Sequence, residues 1–339
     1  MLPKLPRKTL IELCRRMLLI RHFEEALIGL YRQGSFKGHY HVYIGQEATG
    51  VPALACVEAG DYLFTTHRNH GHLLARGAEA GRLLAEILGR RDGYNKGKGG
   101  SFHTNVTALG FLQTSGVVAG ILPLAIGAAY ALKSRGSDRI GVCLFGDGAL
   151  EEGAVAESFN ISSLWRLPVL FLCENNGKYG AGRAVGAGQS SSMAAYPLTN
   201  LPATYGITAK RVDGTNSGAV HRAVSEAIQR IRRGGGPQFI EAQTVRWPGG
   251  EDNWPTVPVP TEVGMAWDAS SVPEAARAWY RKSDPLLIFI RDLVKANKAT
   301  RSEIARIDRE VRGKVEKAVK FALASPYPEA ESALEDVFA

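Results

Sequence analysis

Cysteine is scarce and unpaired in this sequence. The four cysteines, Cys14, Cys56, Cys143 and Cys173, include no Cys-x-x-Cys pair. A disulfide scaffold or a thiolate metal centre is poorly served by them, and reduced thiols are expected. No stretch reaches the ~18 uninterrupted apolar residues of a membrane span. The run from Leu10 to Ile20 is broken by Glu12, Arg15 and Arg16, and the opening MLPKLPRKTL has no signal-peptide core. A cytoplasmic protein without membrane attachment is expected. Aromatics make up only 8% of the chain. They do not interleave with the basic cluster Arg230, Arg232 and Arg233, so that cluster reads as a solvated helix end and not as a nucleic-acid surface. The net charge of +8 fits anionic ligands, nucleic acid or an acidic partner protein and does not choose among them.

Glycine, in contrast, is abundant, at 38 of 339 residues, where about 7% is usual. Many tight turns follow, as in a fold that holds a phosphorylated ligand through loops. Helical spacing runs from Arg7 to Gln33, with Leu10, Leu13, Met17, Ile20, Phe23 and Leu27 as its apolar stripe. Loops are expected at Thr65–His72 and Asn95–His103, and a buried helix at Leu122–Leu132. Ile140–Phe145 and Pro168–Cys173 are short apolar runs of the kind found in parallel strands buried on both faces. A helix from about Glu151 to Trp165 joins them into a βαβ unit. Two further strands, Ile207–Val212 and Gln238–Val245, flank a helix at Gly218–Arg232. A long proline-rich loop is expected at Trp247–Pro273, and helices at Pro285–Ala296 and Thr300–Ala324, the latter started by Ser302 and Glu303. The fold class is therefore α/β, a parallel sheet flanked by helices with a C-terminal helical extension. The expected boundary separates residues 7–284 from 285–339.

The chemistry lies in Gly146-Asp147-Gly148, followed after 26 residues by Asn175-Asn176. Both groups sit at carboxyl ends of strands, where open α/β sheets bind ligands. Asp147 and Asn176 offer two oxygens from neighbouring strand ends to a magnesium ion, whose octahedral demand a diphosphate and a backbone carbonyl can complete. Gly146 and Gly148 keep side chains away from phosphates. A helix opening near Ala149 points its N–H groups at them. GDG alone is an ordinary turn; the paired Asn175-Asn176 across one βαβ unit makes the metal–diphosphate reading the stronger one.

The span Gly146 to Tyr179 resembles the thiamine-diphosphate signature. The chain from about Arg7 to Ala339 is similar to the alpha subunits of pyruvate, branched-chain 2-oxo acid and acetoin dehydrogenases. GQEA (45–48), GKGGSFH (97–103), GVVAGILPLAIGAA (116–129), SLWRLPVLFLCENN (163–176) and KSDPL (282–286) fall in family order. The resemblance implies thiamine diphosphate and Mg2+ as cofactors. It implies Arg68 on the diphosphate, Gly116 and Val118 on the aminopyrimidine, and Gly148 and Ala149 as amides under the diphosphate. His67 stands where pyruvate dehydrogenases usually carry tyrosine and acetoin-type relatives carry histidine. His70 and His103 match active-site histidines; His39, Tyr40 and His41 are weaker candidates for the substrate entrance, and His22 is expected to be structural.

The same resemblance places the ylid-forming glutamate on a beta subunit, with Glu157 left to support the fold or a subunit contact. The expected assembly is two alpha and two beta chains. The expected reaction is decarboxylation of a small 2-oxo acid with transfer of the acyl unit to lipoamide on a lipoyl acyltransferase. Two departures stand out. Where the family has Arg-Tyr-His-Gly-His, this chain has Arg246-Trp247-Pro248-Gly249-Gly250. Two residues rather than one separate Asn176 from Tyr179, so the third metal ligand is open between the carbonyls of Lys178 and Tyr179. The missing histidines leave a carboligase, or an acyl-transfer enzyme with a non-lipoyl acceptor, as the alternative. The close glycines of GAGRAVGAG (180–188) follow no strand, which argues against a nicotinamide-binding fingerprint.

Overall fold

The computed structural model describes residues 1–177, 197–245 and 260–335. Helix α1 (Arg7–Arg32) buries the whole apolar stripe read from its spacing. After α2 (Glu47–Leu54) come β1 (Tyr62–Thr65), α3 (Asn69–Arg76), α4 (Ala80–Ile87), β2 (Phe111–Thr114) and α5 (Ile121–Ser134). The central βαβ unit is β3 (Gly141–Gly146), α6 (Gly153–Leu164) and β4 (Val169–Asn175). Beyond it lie α7 (Asn200–Thr204), β5 (Thr208–Asp213), α8 (Ser217–Arg232), β6 (Gln238–Gln243), α9 (Glu274–Lys282), α10 (Pro285–Lys295) and α11 (Arg301–Ala324).

The six strands form one parallel sheet in the order β2-β1-β3-β4-β6-β5. Every residue of β4 is buried, which explains its continuous apolar run. Alternate residues feed two cores. Val142, Leu144, Leu170 and Leu172 face the layer that contains α1 and α11. Cys143, Phe145, Phe171 and Cys173 face α5 and α6. All four cysteines are free, and burial pushes the Cys14 thiol up to about 12. No helix among the described residues is long and apolar enough to cross a membrane.

Three local expectations are corrected. Thr65–His72 is not a loop: Thr65 ends β1, and α3 begins at Asn69. Its histidines hid the helix, because His70 and His72 are turned inward and stand in for apolar residues. After Gly146 the chain makes a 3-10 turn, Asp147–Glu151, before α6 starts at Gly153. Helix α11 is started by Thr300, whose hydroxyl accepts the Glu303 N–H at 3.1 Å, and not by Ser302.

Three of the family-like motifs serve the framework. Arg21 is fully buried and binds Glu47 of GQEA at 2.8 Å and Asp284 of KSDPL at 2.7 and 3.0 Å. Asp284 also caps α10. Burial opposes charge on Arg21, but Asp284 and Glu47 outweigh it and hold its pKa well above the ordinary value. Glu86, also fully buried, accepts the peptide N–H groups of Asn95, Gly97, Gly99 and Gly100 at 2.6–3.3 Å. The glycines of GKGG let four donors converge on one carboxylate, with Gly97 and Gly100 at φ +77° and +58°.

Candidate active site at the carboxyl edge of the sheet

A cavity of about 400 Å³ opens where β2, β1, β3 and β4 end. It lies beside β1, the strand whose sheet neighbours are β2 and β3 and where the winding direction changes, the usual ligand position in such sheets. Of the residues singled out from the sequence, His67, Arg68, Gly116, Val118, Asp147, Gly148, Ala149 and Asn176 all line it.

Asp147 and the Asn175–Gly177 turn meet closely. A side chain on Gly177 would run into the Asp147 carboxylate. The two asparagines divide their work. Asn175 turns inward and donates to Glu241 at 2.8 Å, while its oxygen accepts the Gly177 N–H at 3.1 Å. This fixes the turn and leaves Asn176 on the cavity wall. Burial raises the Glu241 pKa, opposed by the hydrogen bond from Asn175. Neither Gly146 nor Gly148 has a positive φ, and a Cβ on either would meet nothing within 4 Å. The chain's own packing does not require glycine there, and the space in front of both is open.

On the facing wall, Arg68 donates to the Val42 carbonyl at 2.6 Å. The His67 ring packs edge-on to His41 at 4.6 Å, and His41 stacks on Phe102 at 5.6 Å. Phe102 belongs to the loop tied down by Glu86, and a Cβ on Gly116 would stand 3.0 Å from its ring. Ala119, beside the glycine-valine turn, holds a left-handed φ of +61°. Of the earlier entrance candidates, His41 lines the cavity, Tyr40 is buried and His39 is exposed.

Two named histidines do not line the cavity. His70 is fully buried, 2.9 Å from Ser101 Oγ and 3.3 Å from Glu24. His103 is exposed, with its backbone N–H on the Gly99 carbonyl at 3.2 Å. His22 is buried and bound to Asp308 at 2.6 Å. Glu157 is exposed on α6. Lys178, Tyr179, the GAGRAVGAG segment and residues 246–250 lie outside the described residues.

The sequence reading gave no role to Gln46 or Glu174, which also line the cavity. Glu174 accepts the Tyr43 hydroxyl, and His72 stands 3.2 Å away without hydrogen-bond alignment. Burial and Glu174 together push the Tyr43 hydroxyl pKa well up. Both residues sat inside quoted motifs, GQEA and ENN, and that placement was their only signal.

Fold and cavity together describe an α/β protein that takes its ligand at the carboxyl edge of a parallel sheet. Comparison with known proteins is more particular. Residues 15–257 match the model of the family described as dehydrogenase E1 component. The chain is similar to the alpha subunit of acetoin:2,6-dichlorophenolindophenol oxidoreductase of Cupriavidus necator, 36% identical over 98% of this chain and 95% of the relative. It is equally similar to the pyruvate dehydrogenase E1 component subunit alpha of Rhizobium meliloti, 36% identical over 95% and 88% of the two chains. The Bacillus subtilis acetoin:2,6-dichlorophenolindophenol oxidoreductase alpha subunit is 36% identical over 96% and 92%. This chain belongs to the dehydrogenase E1 component family, among the alpha subunits of thiamine-diphosphate-dependent 2-oxo acid dehydrogenases.

Proposed function

We propose that this chain holds the diphosphate and magnesium ion of thiamine diphosphate in a two-chain enzyme that decarboxylates a small 2-oxo acid and passes the acyl unit to lipoamide. The observation that carries the reading is the convergence of Asp147 and Asn176, from adjacent strand ends, with Arg68 on one cavity. The donor set fits the group. Among the described residues no cluster of three His, Cys, Asp or Glu could hold a metal ion. Asp147 and Asn176 would therefore share magnesium with diphosphate oxygens and the carbonyl of Lys178 or Tyr179. Arg68 offers a planar fork to phosphate. Gly148 and Ala149 would supply amides to the diphosphate, and the backbone of Gly116 and Val118 would hydrogen-bond the aminopyrimidine.

When bound, the cofactor would supply a nucleophilic carbon for chemistry at the substrate's 2-oxo group. His67, packed against His41 at the cavity wall, would handle protons there. His70 acts by holding Ser101, and His103 stays at the rim of its loop. The only carboxylates lining the cavity are Asp147 and Glu174 among the described residues. The first would hold the metal, and the second accepts the Tyr43 hydroxyl. The glutamate that activates the pyrimidine would, as the family resemblance implies, come from a beta subunit. Val117, Val118, Leu124, Tyr130, Leu164 and Trp165 are large apolar side chains left 48–73% exposed beside the cavity and along α5 and α6. They suit burial in an assembly of two alpha and two beta chains, with a lipoyl acyltransferase as the further partner. Four free thiols suit a reducing cytoplasm.

The test is to combine the chain with its beta partner, thiamine diphosphate and magnesium. Pyruvate, branched-chain 2-oxo acids and acetoin are then compared, with 2,6-dichlorophenolindophenol and with a lipoyl domain as acceptor. Cofactor-dependent turnover that needs both chains is expected. Turnover by this chain alone would refute the two-chain reading; none with any substrate would refute the activity.

A further inference from the structure

The backbone of Gln46 opens α2, but its side chain has no hydrogen-bonding task in the fold. Its side chain is 1% exposed. Among the described residues, neither its amide nitrogen nor its amide oxygen has a hydrogen-bond partner. The residue directly precedes α2 but its side chain does not cap that helix. A buried amide without partners destabilises a protein, and an apolar side chain of the same shape would serve the core better. Yet Gln46 borders the cavity that also holds Arg68, Asp147 and Asn176.

Its surroundings indicate the ligand atom. The Gln46 N–H donates to the Tyr43 carbonyl at 3.1 Å. The Tyr43 hydroxyl binds Glu174, at the end of the strand that leads into Asn176. The carbonyl of Val42, one residue earlier, takes the Arg68 guanidinium at 2.6 Å. Residues 42–46 thus run between the arginine read as the diphosphate contact and the strand end read as the metal contact. A primary amide carries both donors and an acceptor. That suits a site holding phosphate oxygens beside a hydrated cation.

We propose that the Gln46 amide donates a hydrogen bond to an oxygen of the diphosphate bound in this cavity. The diphosphate would then supply the partner that its side chain lacks among the described residues. The inference rests on the proposed function, and it adds a residue that senses the diphosphate rather than the organic part of the cofactor.

The experiment uses the assembled alpha and beta chains carrying Gln46→Met, close in shape but without the amide. Thiamine diphosphate with magnesium is titrated calorimetrically, and magnesium pyrophosphate alone is measured as a competitor. Losing one hydrogen bond to a charged group should weaken both by about 10- to 100-fold and by similar factors. The melting temperature of the cofactor-free protein should not fall. Gln46→Glu, which places a negative charge against the phosphates, should weaken both further.

Unchanged affinity in Gln46→Met overturns the proposal. So does weaker thiamine diphosphate binding with unchanged pyrophosphate binding, which would point the amide at the organic part. A lower cofactor-free melting temperature with normal binding would make Gln46 structural and also overturn it. Asp147→Ala, run alongside, separates the levels. If it abolishes binding while Gln46→Met does nothing, only this inference fails. If it binds normally, the reading of the whole site fails with it.

Discussion

Gly177→Ala is a small change with a large expected effect. The backbone at Gly177 is outside the left-handed region, so alanine is conformationally allowed. The obstacle is the Asp147 side chain. The new Cβ would stand 3.0 Å from Asp147 Cγ, nearer still to Oδ2, and 3.2 Å from Asn175 Oδ1. To restore carbon–oxygen contacts of ~3.3 Å the carboxylate must retreat by on the order of 1 Å. Magnesium tolerates little of this, because it holds ligands at ~2.0–2.1 Å in near-ideal octahedral geometry. Overpacking at one methyl group costs about 1–3 kcal/mol, which the fold should survive. Disturbing a ligand through its supporting shell typically weakens metal affinity by ~10–100-fold. The assay is the magnesium concentration for half-maximal thiamine diphosphate binding in the alpha–beta assembly, measured by calorimetry beside a thermal melt. An unchanged magnesium requirement in a folded Gly177→Ala protein would refute the assignment of Asp147 to the metal.

Asp147→Ala and Asn176→Ala should each abolish magnesium-dependent cofactor binding while the cofactor-free melt stays near that of the parent; retained affinity in either would remove that residue from the site. Arg21→Met leaves Glu47 and Asp284 buried without their cation and should cost about 3–5 kcal/mol in chemical denaturation, whereas a loss below 1 kcal/mol would show that the knot contributes little. The His22–Asp308 pair should make stability depend on pH. Burial opposes charge on His22, but its bonds to Asp308 and Glu25 outweigh burial and raise its pKa. Burial would raise the Asp308 pKa, but His22 and Arg312 bring it below the ordinary carboxylate value. The histidine contribution is complete below about pH 6.5 and lost as pH rises through the raised folded value; the aspartate contribution is present above about pH 3.9 and lost as pH falls through the lowered one. The stability gap between the parent and His22→Gln should therefore be wide near pH 5 and narrow by pH 9, and an equal gap at both would sink the coupling.

Much of the frame was legible because its signals are local. The stripe of α1 repeats every three or four residues, and each of its six positions is buried. The strands β3 and β4 announced themselves as continuous apolar runs, since both faces of the sheet are covered. The four-residue strands β1 and β2 are too short to carry a period, and neither was read as a strand. Helix α3 was missed because polar His70 and His72 stand among its buried residues, His70 meeting Glu24 and Ser101 and His72 meeting Thr65 through Nδ1, and interrupt the apolar pattern of Leu73 and Leu74.

The amino-acid order alone determined the βαβ unit, the GDG and Asn175-Asn176 groups at its two strand ends, and the glycine loops around them, because each depends on neighbours within a few turns of chain. Which of those residues face the cavity was decided only by tertiary structure. Asn175 turns away because Glu241, 66 residues further on, takes its amide. Glu47 is drawn into the framework by Arg21, while Gln46 beside it is left at the cavity wall. His70 and His103, alike in sequence as loop histidines, part because one is enclosed by Glu24 and Ser101 and the other is turned to solvent. Facing is settled by contacts between segments far apart in the chain, and no local pattern of residues encodes it.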